Sequence, residues 1–255
     1  MLKELKANKN EIIEDKKSAI RKSQGIYLVI KSKDALKEDE PKVLELGDSV
    51  KVAMNTVNYF DFDKDVLLEG SWNKTAKEQN GKTYHVINHE LRIGSIIAYP
   101  KDVSVSVERH DWKSLGKSFK GETEVLVFLS KMTEKTNKDA FLAYKDNEPV
   151  EHSIRLQYVK IALAFKSDDA EDKEENALYE KHYPQIANKD DVDKEEYFWA
   201  VSESRIHKEG SMVPFGANDA TPRIKTEPIK SHSKRIEPST DTRKEFYKGL
   251  LKNKI

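Results

Sequence analysis

The sequence predicts an α+β fold in which a mainly antiparallel β-barrel is flanked by helices. Three observations support this prediction: a succession of strand-like apolar runs from Gly25 onward, short helical segments between them, and a charged helical segment before them. Many short strands in succession favour a barrel or another closed sheet. The eight strand-like runs are GIYLVIKS, KVAMNTVNYF, KTYHVINH, IGSIIAY, DVSVSVERH, EVLVFLSKM, HSIRLQYVKIALAF and YFWAVSESRI.

The first segment, residues 1–24, has the pattern of a charged helical arm. Its apolar residues recur at helical spacing among lysines and glutamates, which indicates a helix with one apolar side. The strand-rich region begins directly after this arm. The apolar residues of the arm are Leu2, Leu5, Ile12, Ile13 and Ile20.

Two helices are predicted within the main domain, residues 25–220. The first covers residues 71–79, where Ser71 can cap the first turn. The second covers residues 137–145, and its apolar residues Ala140, Phe141 and Tyr144 share one face. Both helices are short, so the core of the domain is expected to be mainly β.

Two segments have the composition of peripheral regions. Residues 166–196 contain twelve Asp or Glu and five Lys, which predicts an acidic surface insertion with a short helix before Pro184. The tail, residues 221–255, contains three prolines, ten Lys or Arg and four acidic residues. This composition predicts an extended basic tail that ends in a short helix.

The overall composition excludes some classes of protein. The chain has 45 Lys plus Arg and 45 Asp plus Glu, so it lacks the positive balance of a nucleic-acid-binding protein. It has no cysteine, which excludes disulfides and thiolate metal sites and favours a reducing compartment. Because no apolar run is long enough for a signal peptide or a membrane span, we expect a soluble protein.

Three segments that are far apart in the chain each contain a residue type that serine hydrolysis requires. These residues are His89, Ser153 and Glu209. A serine hydroxyl becomes nucleophilic when a base takes its proton, and histidine can accept and return a proton near neutral pH. The nucleophile, the base and the carboxylate that orients the base usually meet only in the folded protein. Composition alone does not distinguish these residues from ordinary serines and histidines.

Several motifs resemble the tailed-phage prohead proteases, a family related to the herpesvirus assemblins. The segments DFDKDVLLEGSWNKT and HVINHELRIG resemble the first half of that family, and EHSIRLQYVK and KEGSMVPFGAN resemble its later motifs in the same order. The resemblance covers residues 50–220 and implies a barrel of the herpesvirus-protease type. The first two motifs match at Asp61, Asp63, Asp65, Leu67, Leu68, Gly70, Ser71, Trp72, His89, Glu90, Ile93 and Gly94.

The resemblance implies roles for three residues. Ser153 would be the nucleophile, His89 the general base and then the general acid, and Glu209 the third member that orients the imidazole. Assemblins use a second histidine in the third role, so His207 remains an alternative third member, and His110 is a further candidate. The resemblance implies neither a cofactor nor a metal.

The chain departs from the family motif after Ser153. The glycine that normally follows Ser-Ile is Arg155, which lies on the same side of a regular strand as Ser153. The guanidinium could support the oxyanion, directly or through water. The alternative is a surface Arg paired with Glu151. His152 would point to the opposite face of the strand.

Neither of two further patterns predicts a metal site. His85 and His89 have helical spacing, but their neighbours indicate a strand, and the zincin pattern is missing. Asp61, Asp63 and Asp65 have the spacing of a calcium loop without its glycine and terminal glutamate, so we expect a turn.

The resemblance implies a serine endopeptidase that cleaves scaffold or capsid-protein extensions during procapsid maturation of a bacteriophage, with cleavage of itself. Its substrates would be the major capsid protein and the scaffolding protein, and the protein could also associate with itself. We expect neither a nucleic-acid substrate nor a membrane partner. Its location would be the host cytoplasm, inside the assembling procapsid. One alternative is a catalytically inactive capsid-assembly or scaffold protein that retains the fold. Another is a metal-dependent hydrolase that uses His85, His89 and the aspartates.

Overall fold

A computed structural model describes residues 2–25 and 43–214, which form six α-helices and nine strands in two sheets. The helices are α1 (Leu2–Ala7), α2 (Lys9–Ser18), α3 (Asn73–Gln79), α4 (Lys138–Lys145), α5 (Lys173–His182) and α6 (Lys189–Glu195). The strands are β1 (Arg21–Gly25), β2 (Ser49–Thr56), β3 (Asp65–Leu67), β4 (Tyr84–Ile87), β5 (Ile96–Ala98), β6 (Val103–Asp111), β7 (Glu122–Lys131), β8 (Glu151–Phe165) and β9 (Tyr197–Val213).

The larger sheet is built around β9. Its strand order is β1-β8-β9-β4-β5, and β3 also pairs with β9. On one edge β9 pairs antiparallel with β8, and on the other edge it pairs parallel with β3 and with β4. β3 pairs with residues 199–201 of β9, and β4 pairs with residues 209–212. The helix α3 lies between β3 and β4 in the chain.

The smaller sheet packs over the larger one and covers its inner face. It is antiparallel, with the order β2-β7-β6. Met54 of β2 and Phe128 of β7 belong to the same buried apolar cluster as Ile154 and Leu156 of β8. Burial of a large apolar side chain contributes about 2 kcal/mol, so this cluster is the main source of stability. Its main members include residues from both sheets.

The α+β class is confirmed, but the barrel is not. Among the described residues, no strand pairs with both sheets, so the two sheets remain separate layers. The chain leaves β5 after three residues and enters β6 through a short turn that begins at Pro100. A proline has no N–H to donate to a ladder, so this turn does not extend the pairing from one sheet to the other. Seven predicted strand-like runs contain strands, while residues 26–32 of the first run lie outside the described residues.

The two predicted helices are present, with one difference in capping. α4 begins after Asn137, whose side chain accepts a hydrogen bond from Ala140 N–H at 3.0 Å, and Ala140 and Tyr144 are buried. The predicted cap of α3 was wrong: the helix starts two residues later than expected, and the buried Ser71 precedes its cap position, Trp72. Ser71 uses its carbonyl oxygen instead, which accepts from Ser204 N–H of β9 at 3.0 Å.

The charged arm is helical only as far as Ser18: it contains α1 and α2, but Arg21–Gly25 form β1, which pairs with β8, instead of continuing the predicted helix. Ion pairs also attach the arm to the main domain. Lys16 of α2 contacts the fully buried Asp65 at 2.5 Å, and Tyr158 of β8 donates to the other oxygen of Asp65 at 2.8 Å. Burial raises the pKa of Asp65, and the adjacent Lys16 ammonium opposes that shift. The predicted turn before Asp65 is present: Asp61 accepts from the N–H groups of Asp63 and Asp65, each at 2.9 Å.

The acidic insertion is helical and partly packed. It contains α5 and α6, and Tyr179, Ile186 and Val192 are buried against Phe198 of β9 in a second apolar cluster. The basic tail, residues 221–255, lies outside the described residues, as does the end of the KEGSMVPFGAN motif. Among the helices of residues 2–25 and 43–214, none has the length and apolar character needed to span a membrane.

Among the described glycines whose surroundings are known, Gly210 of β9 has the least space for a side chain, because the smaller sheet packs directly against it. A Cβ atom at this position would lie 2.7 Å from a ring carbon of Phe128 and 2.9 Å from the sulfur of Met54. Both distances are shorter than real contacts of a Cβ atom, so even a methyl group would force a neighbour to move.

We predict that Gly210→Ala destabilises the fold by about 1–3 kcal/mol, because it overpacks the core between the sheets. The measurement is the midpoint of urea unfolding followed by circular dichroism. Gly81→Ala serves as a control for an added methyl group, because nothing lies within 4 Å of a Cβ there, although its positive φ adds a strain term of its own. An unchanged midpoint for Gly210→Ala would contradict the prediction.

Candidate active site

Ser153 lies near the start of β8 on the face that is turned away from the smaller sheet. Its neighbour Ile154 is fully buried in the core between the sheets, and alternation along the strand therefore directs Ser153 and Arg155 to the opposite face. β1 pairs with β8 on one side of Ser153 and β9 on the other, so the backbone of Ser153 is held within the sheet. The serine is 3% exposed.

His89 follows β4 in an unusual backbone conformation. Asn88 and His89 have positive φ angles of 52° and 58°, in the left-handed region. Histidine and asparagine enter this region more readily than most residues, but the conformation still needs support from its surroundings. Asn88 N–H donates to the carbonyl of Met212 at 2.9 Å, and His89 N–H donates to the hydroxyl of Ser211 at 2.8 Å. β9 therefore fixes the direction in which the imidazole leaves the chain.

Glu209 lies in β9 opposite Tyr84 of β4 and is fully buried. The pairing of β8 with β9 is irregular here: Ile154 faces Gly210, while Leu156 already faces Ile206. β9 thus carries two more residues than β8 in this interval, and Lys208 adopts a positive φ of 69°. Beyond this bulge the strand alternates regularly: Gly210 faces the core, and Ser211 pairs with Ser153. Glu209 lies two residues before Ser211, so its carboxylate is on the same face as Ser153.

The three side chains form one chain of hydrogen bonds. Ser153 Oγ lies 2.8 Å from Nε2 of His89, and Oε1 of Glu209 lies 2.9 Å from Nδ1 of the same ring. An ionised carboxylate only accepts hydrogen bonds, so the proton of the neutral ring is on Nδ1. Nε2 is then free to accept the proton of the Ser153 hydroxyl. This is the order of contacts found in a serine, histidine and acid triad.

The structure brings together all three residues that were expected to meet, and it separates them from the alternatives. Glu209, and not His207, contacts His89. His207 lies half-buried in the bulge of β9, and no hydrogen bond joins it to His89 among the described residues. His110 lies in the smaller sheet, where its ring contacts Glu108 at 3.2 Å. The spacing of two residues between His207 and Glu209 predicted a shared side of a regular strand, but the strand is irregular between these two residues, where Lys208 has a positive φ.

Arg155 contacts the site on the carboxylate side of the imidazole. Its Nε lies 2.9 Å from Oε1 of Glu209, and its Nη2 donates to the carbonyl oxygen of His89 at 2.8 Å. These contacts were not predicted, since the sequence suggested either oxyanion support or a pair with Glu151. Oε2 of Glu209 has no hydrogen-bond partner among the described side chains and backbone, so Oε1 carries the polar contacts of this carboxylate.

Ser211 is a site residue that sequence reasoning did not single out. Its hydroxyl accepts the N–H of His89 and lies within 3.1 Å of the carbonyl oxygen of Met212 and 3.3 Å of that of Val86. The available signal was its position in the KEGSMV motif, two residues after Glu209. A role could not be read from that position, because the partner of Ser211 is a backbone group from a distant loop.

Two other histidines form a buried polar cluster behind the nucleophile strand. Tyr144 Oη lies 2.8 Å from Nε2 of His152 and 3.3 Å from Nε2 of His85, and Nδ1 of His85 lies 2.9 Å from the hydroxyl of Ser130. His152 faces the core, as strand alternation predicted. Burial lowers the pKa of His85 to about 3 and holds the pKa of His152 well below its usual range. Both rings are therefore neutral at pH 7.

The described residues do not offer a metal site. In residues 2–25 and 43–214, no group of three or more histidine, aspartate or glutamate side chains is arranged to hold a metal ion. His85 and His89 lie on different sides of the larger sheet: His85 contacts Ser130 of the smaller sheet, whereas His89 contacts Ser153.

Comparisons with protein-family models, with curated proteins and with solved structures return no match for this chain. Function is therefore inferred from the geometry of the site together with the motifs of the sequence.

We predict that His85 makes the fold less stable in acid. The folded pKa of about 3 lies below the ordinary value of 6.5, so between these values the unfolded chain binds one more proton at this ring. Stability then falls as the pH falls, by about 1.4 kcal/mol per pH unit for this group. His85→Gln should therefore reduce the loss of unfolding free energy between pH 7 and pH 5 by up to about 2 kcal/mol.

The free energy of unfolding is measured in urea at both pH values. The matched control is His207→Gln, which changes a half-buried histidine outside this cluster. If His85→Gln retains the full dependence of the wild-type protein on pH, then the buried ring does not cause the acid lability.

Proposed function

We propose that this chain is a serine endopeptidase that cleaves scaffold or capsid-protein extensions during maturation of a viral procapsid. The observation that carries the proposal is the continuous set of hydrogen bonds from Ser153 through His89 to Glu209, with distances of 2.8 and 2.9 Å. Each of the three residues also stands at the matching position of a motif that resembles the prohead proteases. Geometry and sequence thus support the same reaction from independent directions.

In the proposed reaction, Ser153 Oγ attacks the scissile carbonyl carbon while Nε2 of His89 takes the hydroxyl proton. The imidazolium that forms is stabilised by the Glu209 carboxylate, which accepts from Nδ1. The imidazolium then gives its proton to the leaving amine, and an acyl-enzyme remains on Ser153. Water, deprotonated by His89, hydrolyses the acyl-enzyme and restores the starting state.

The substrate class comes from the resemblance alone. It includes the major capsid protein, the scaffolding protein and the chain itself, and it places the reaction in the host cytoplasm inside an assembling procapsid. The proposal extends to the fold: the two packed sheets correspond to a herpesvirus-protease type of barrel that is open between β5 and β6. No cofactor has a part in this reaction.

The alternative is a structural capsid-assembly protein that keeps the protease fold without activity. One observation favours it: Ser153 is 3% exposed and the His89 side chain is 6% exposed, so little of the site faces solvent. An active enzyme must open this region to admit a substrate backbone. A reagent that reacts with nucleophilic serines distinguishes the two functions.

We predict that a fluorophosphonate probe labels the full-length protein at Ser153 and that Ser153→Ala abolishes the label. Co-expression with the proposed substrates, a capsid protein and a scaffolding protein, should give cleaved products, which Ser153→Ala reduces by at least about 10³-fold. Intact mass spectrometry measures both outcomes. Ser204→Ala, a change of another buried serine in β9, is the matched control. Cleavage that persists in Ser153→Ala refutes the serine mechanism, and an absence of both label and cleavage supports the structural alternative.

We predict that Glu209, and not His207, acts as the third member. Glu209→Gln should lower kcat by about 10²- to 10⁴-fold, because an amide cannot stabilise the imidazolium and favours the wrong tautomer. His207→Gln should leave kcat within about twofold of the wild-type value, since His207 does not contact His89. The rate of fluorophosphonate labelling measures both variants, and a larger loss for His207→Gln would reverse the assignment.

A further inference from the structure

The Arg155 side chain has polar contacts with both the base and the carboxylate of the site. Its Nε lies 2.9 Å from Oε1 of Glu209, and its Nη2 lies 2.8 Å from the carbonyl oxygen of His89. The first contact compensates the charge of the carboxylate, and the second holds the backbone of the residue that carries the imidazole. One planar guanidinium can make both because its donors diverge at fixed angles.

The buried carboxylate needs this cation. Glu209 is fully buried, and a buried anion is costly unless a charge or several hydrogen bonds compensate it. In the proposed reaction His89 is the base that accepts the Ser153 proton, so before that step it contributes a hydrogen bond to Glu209 but no charge. Arg155, 23% exposed at its side chain, is the cation that contacts Glu209 among the described residues.

The backbone of His89 needs support on both sides of its Cα atom. With a φ of 58°, His89 lies in the left-handed region. Ser211 binds its N–H and Arg155 binds its carbonyl oxygen, so two polar contacts from two strands hold this residue in place. A small rotation of that backbone would move Nε2 away from the Ser153 hydroxyl.

We propose that Arg155 is a positioning residue, which holds the Glu209 carboxylate and the His89 backbone in the orientation that lets Nε2 of His89 deprotonate Ser153. This role rests on the proposed function and differs from the oxyanion support considered above, because both described contacts lie on the carboxylate side of the ring. It also explains how the chain works with an arginine where the prohead proteases have a glycine.

The variants Arg155→Met, Arg155→Gly and Arg155→Lys test the role in the full-length protein. Arg155→Met keeps an unbranched apolar stem without the charge, and Arg155→Lys keeps the charge without the two diverging donors. Arg109→Met is the matched control, because Arg109 also lies on a strand and pairs with a carboxylate, Glu69, outside the site.

Three results are expected. Arg155→Met and Arg155→Gly lower kcat and the rate of fluorophosphonate labelling by about 10- to 100-fold with an unchanged KM, and Arg155→Lys recovers part of the loss. Millimolar methylguanidinium accelerates Arg155→Gly more than an equal concentration of KCl does. The pH profile of the labelling rate changes in Arg155→Met but not in Arg109→Met, because Arg155 contacts Glu209 and the backbone of His89, whereas Arg109 pairs with Glu69.

The charged groups around His89 allow this pH result to be interpreted. Among the described residues, Glu209 and Arg155 are the charged side chains that contact it, while Ser153 and Ser211 contribute hydroxyls. The adjacent Glu90 accepts hydrogen bonds from Arg92 and Ser95, and none of these three residues is substituted in the variants.

A proton NMR measurement tests the positioning role of Arg155 independently of the proposed protease activity. The proton on Nδ1 of His89, bound to Glu209, should give a low-field signal in the wild-type protein and in Arg109→Met, and this signal should be lost in Arg155→Met. The signal depends on the position of the ring and requires no turnover. If it persists unchanged in Arg155→Met, with an unchanged pH profile, the positioning role is refuted, even if Ser153→Ala has shown the protein to be a serine hydrolase.

Discussion

One carboxylate oxygen, Oε1 of Glu209, organises the candidate site. It contacts the imidazole of His89 and the guanidinium of Arg155, and both contacts are 2.9 Å long. Because Glu209 is fully buried, these contacts act in a region of low dielectric, where hydrogen bonds to a charge are strong and their loss is costly. The orientation of His89 toward Ser153 therefore depends on how one buried charge is compensated.

The long strand β9 supplies the geometry that this charge requires. It pairs with β8, which carries Ser153, and with β4, which leads directly to His89. Beyond the bulge around Lys208, β9 alternates regularly, so Glu209 and Ser211 both face the site while Gly210 faces the core. Nucleophile, base and carboxylate thus come from three chain segments that meet on one face of one sheet.

The sequence predicts the local features of this arrangement well. The strand-like runs locate seven of the nine strands among the described residues, and the helical pattern of residues 137–145 locates α4. The motifs also select Ser153, His89 and Glu209, which the fold brings into contact. These features can be predicted because each depends on a few neighbouring residues.

Features that depend on distant partners could not be predicted. The contacts of Arg155 join a strand to a loop 66 residues earlier in the chain. The choice between Glu209 and His207 depends on a bulge at Lys208, where no glycine signals a positive φ. The division into two sheets depends on a turn at Pro100, and the pattern of alternating strands is the same for an open and a closed arrangement.

The tight approach at Gly210 has an evolutionary consequence. The two residues beside it, Glu209 and Ser211, face the site, whereas position 210 itself touches Met54 and Phe128 of the opposite sheet. Relatives of this chain that carry alanine or serine at position 210 should therefore have exchanged Met54 or Phe128 for a smaller residue. Such coordinated replacements would show that the spacing between the two sheets at position 210 is constrained by the strand that carries Glu209 and Ser211.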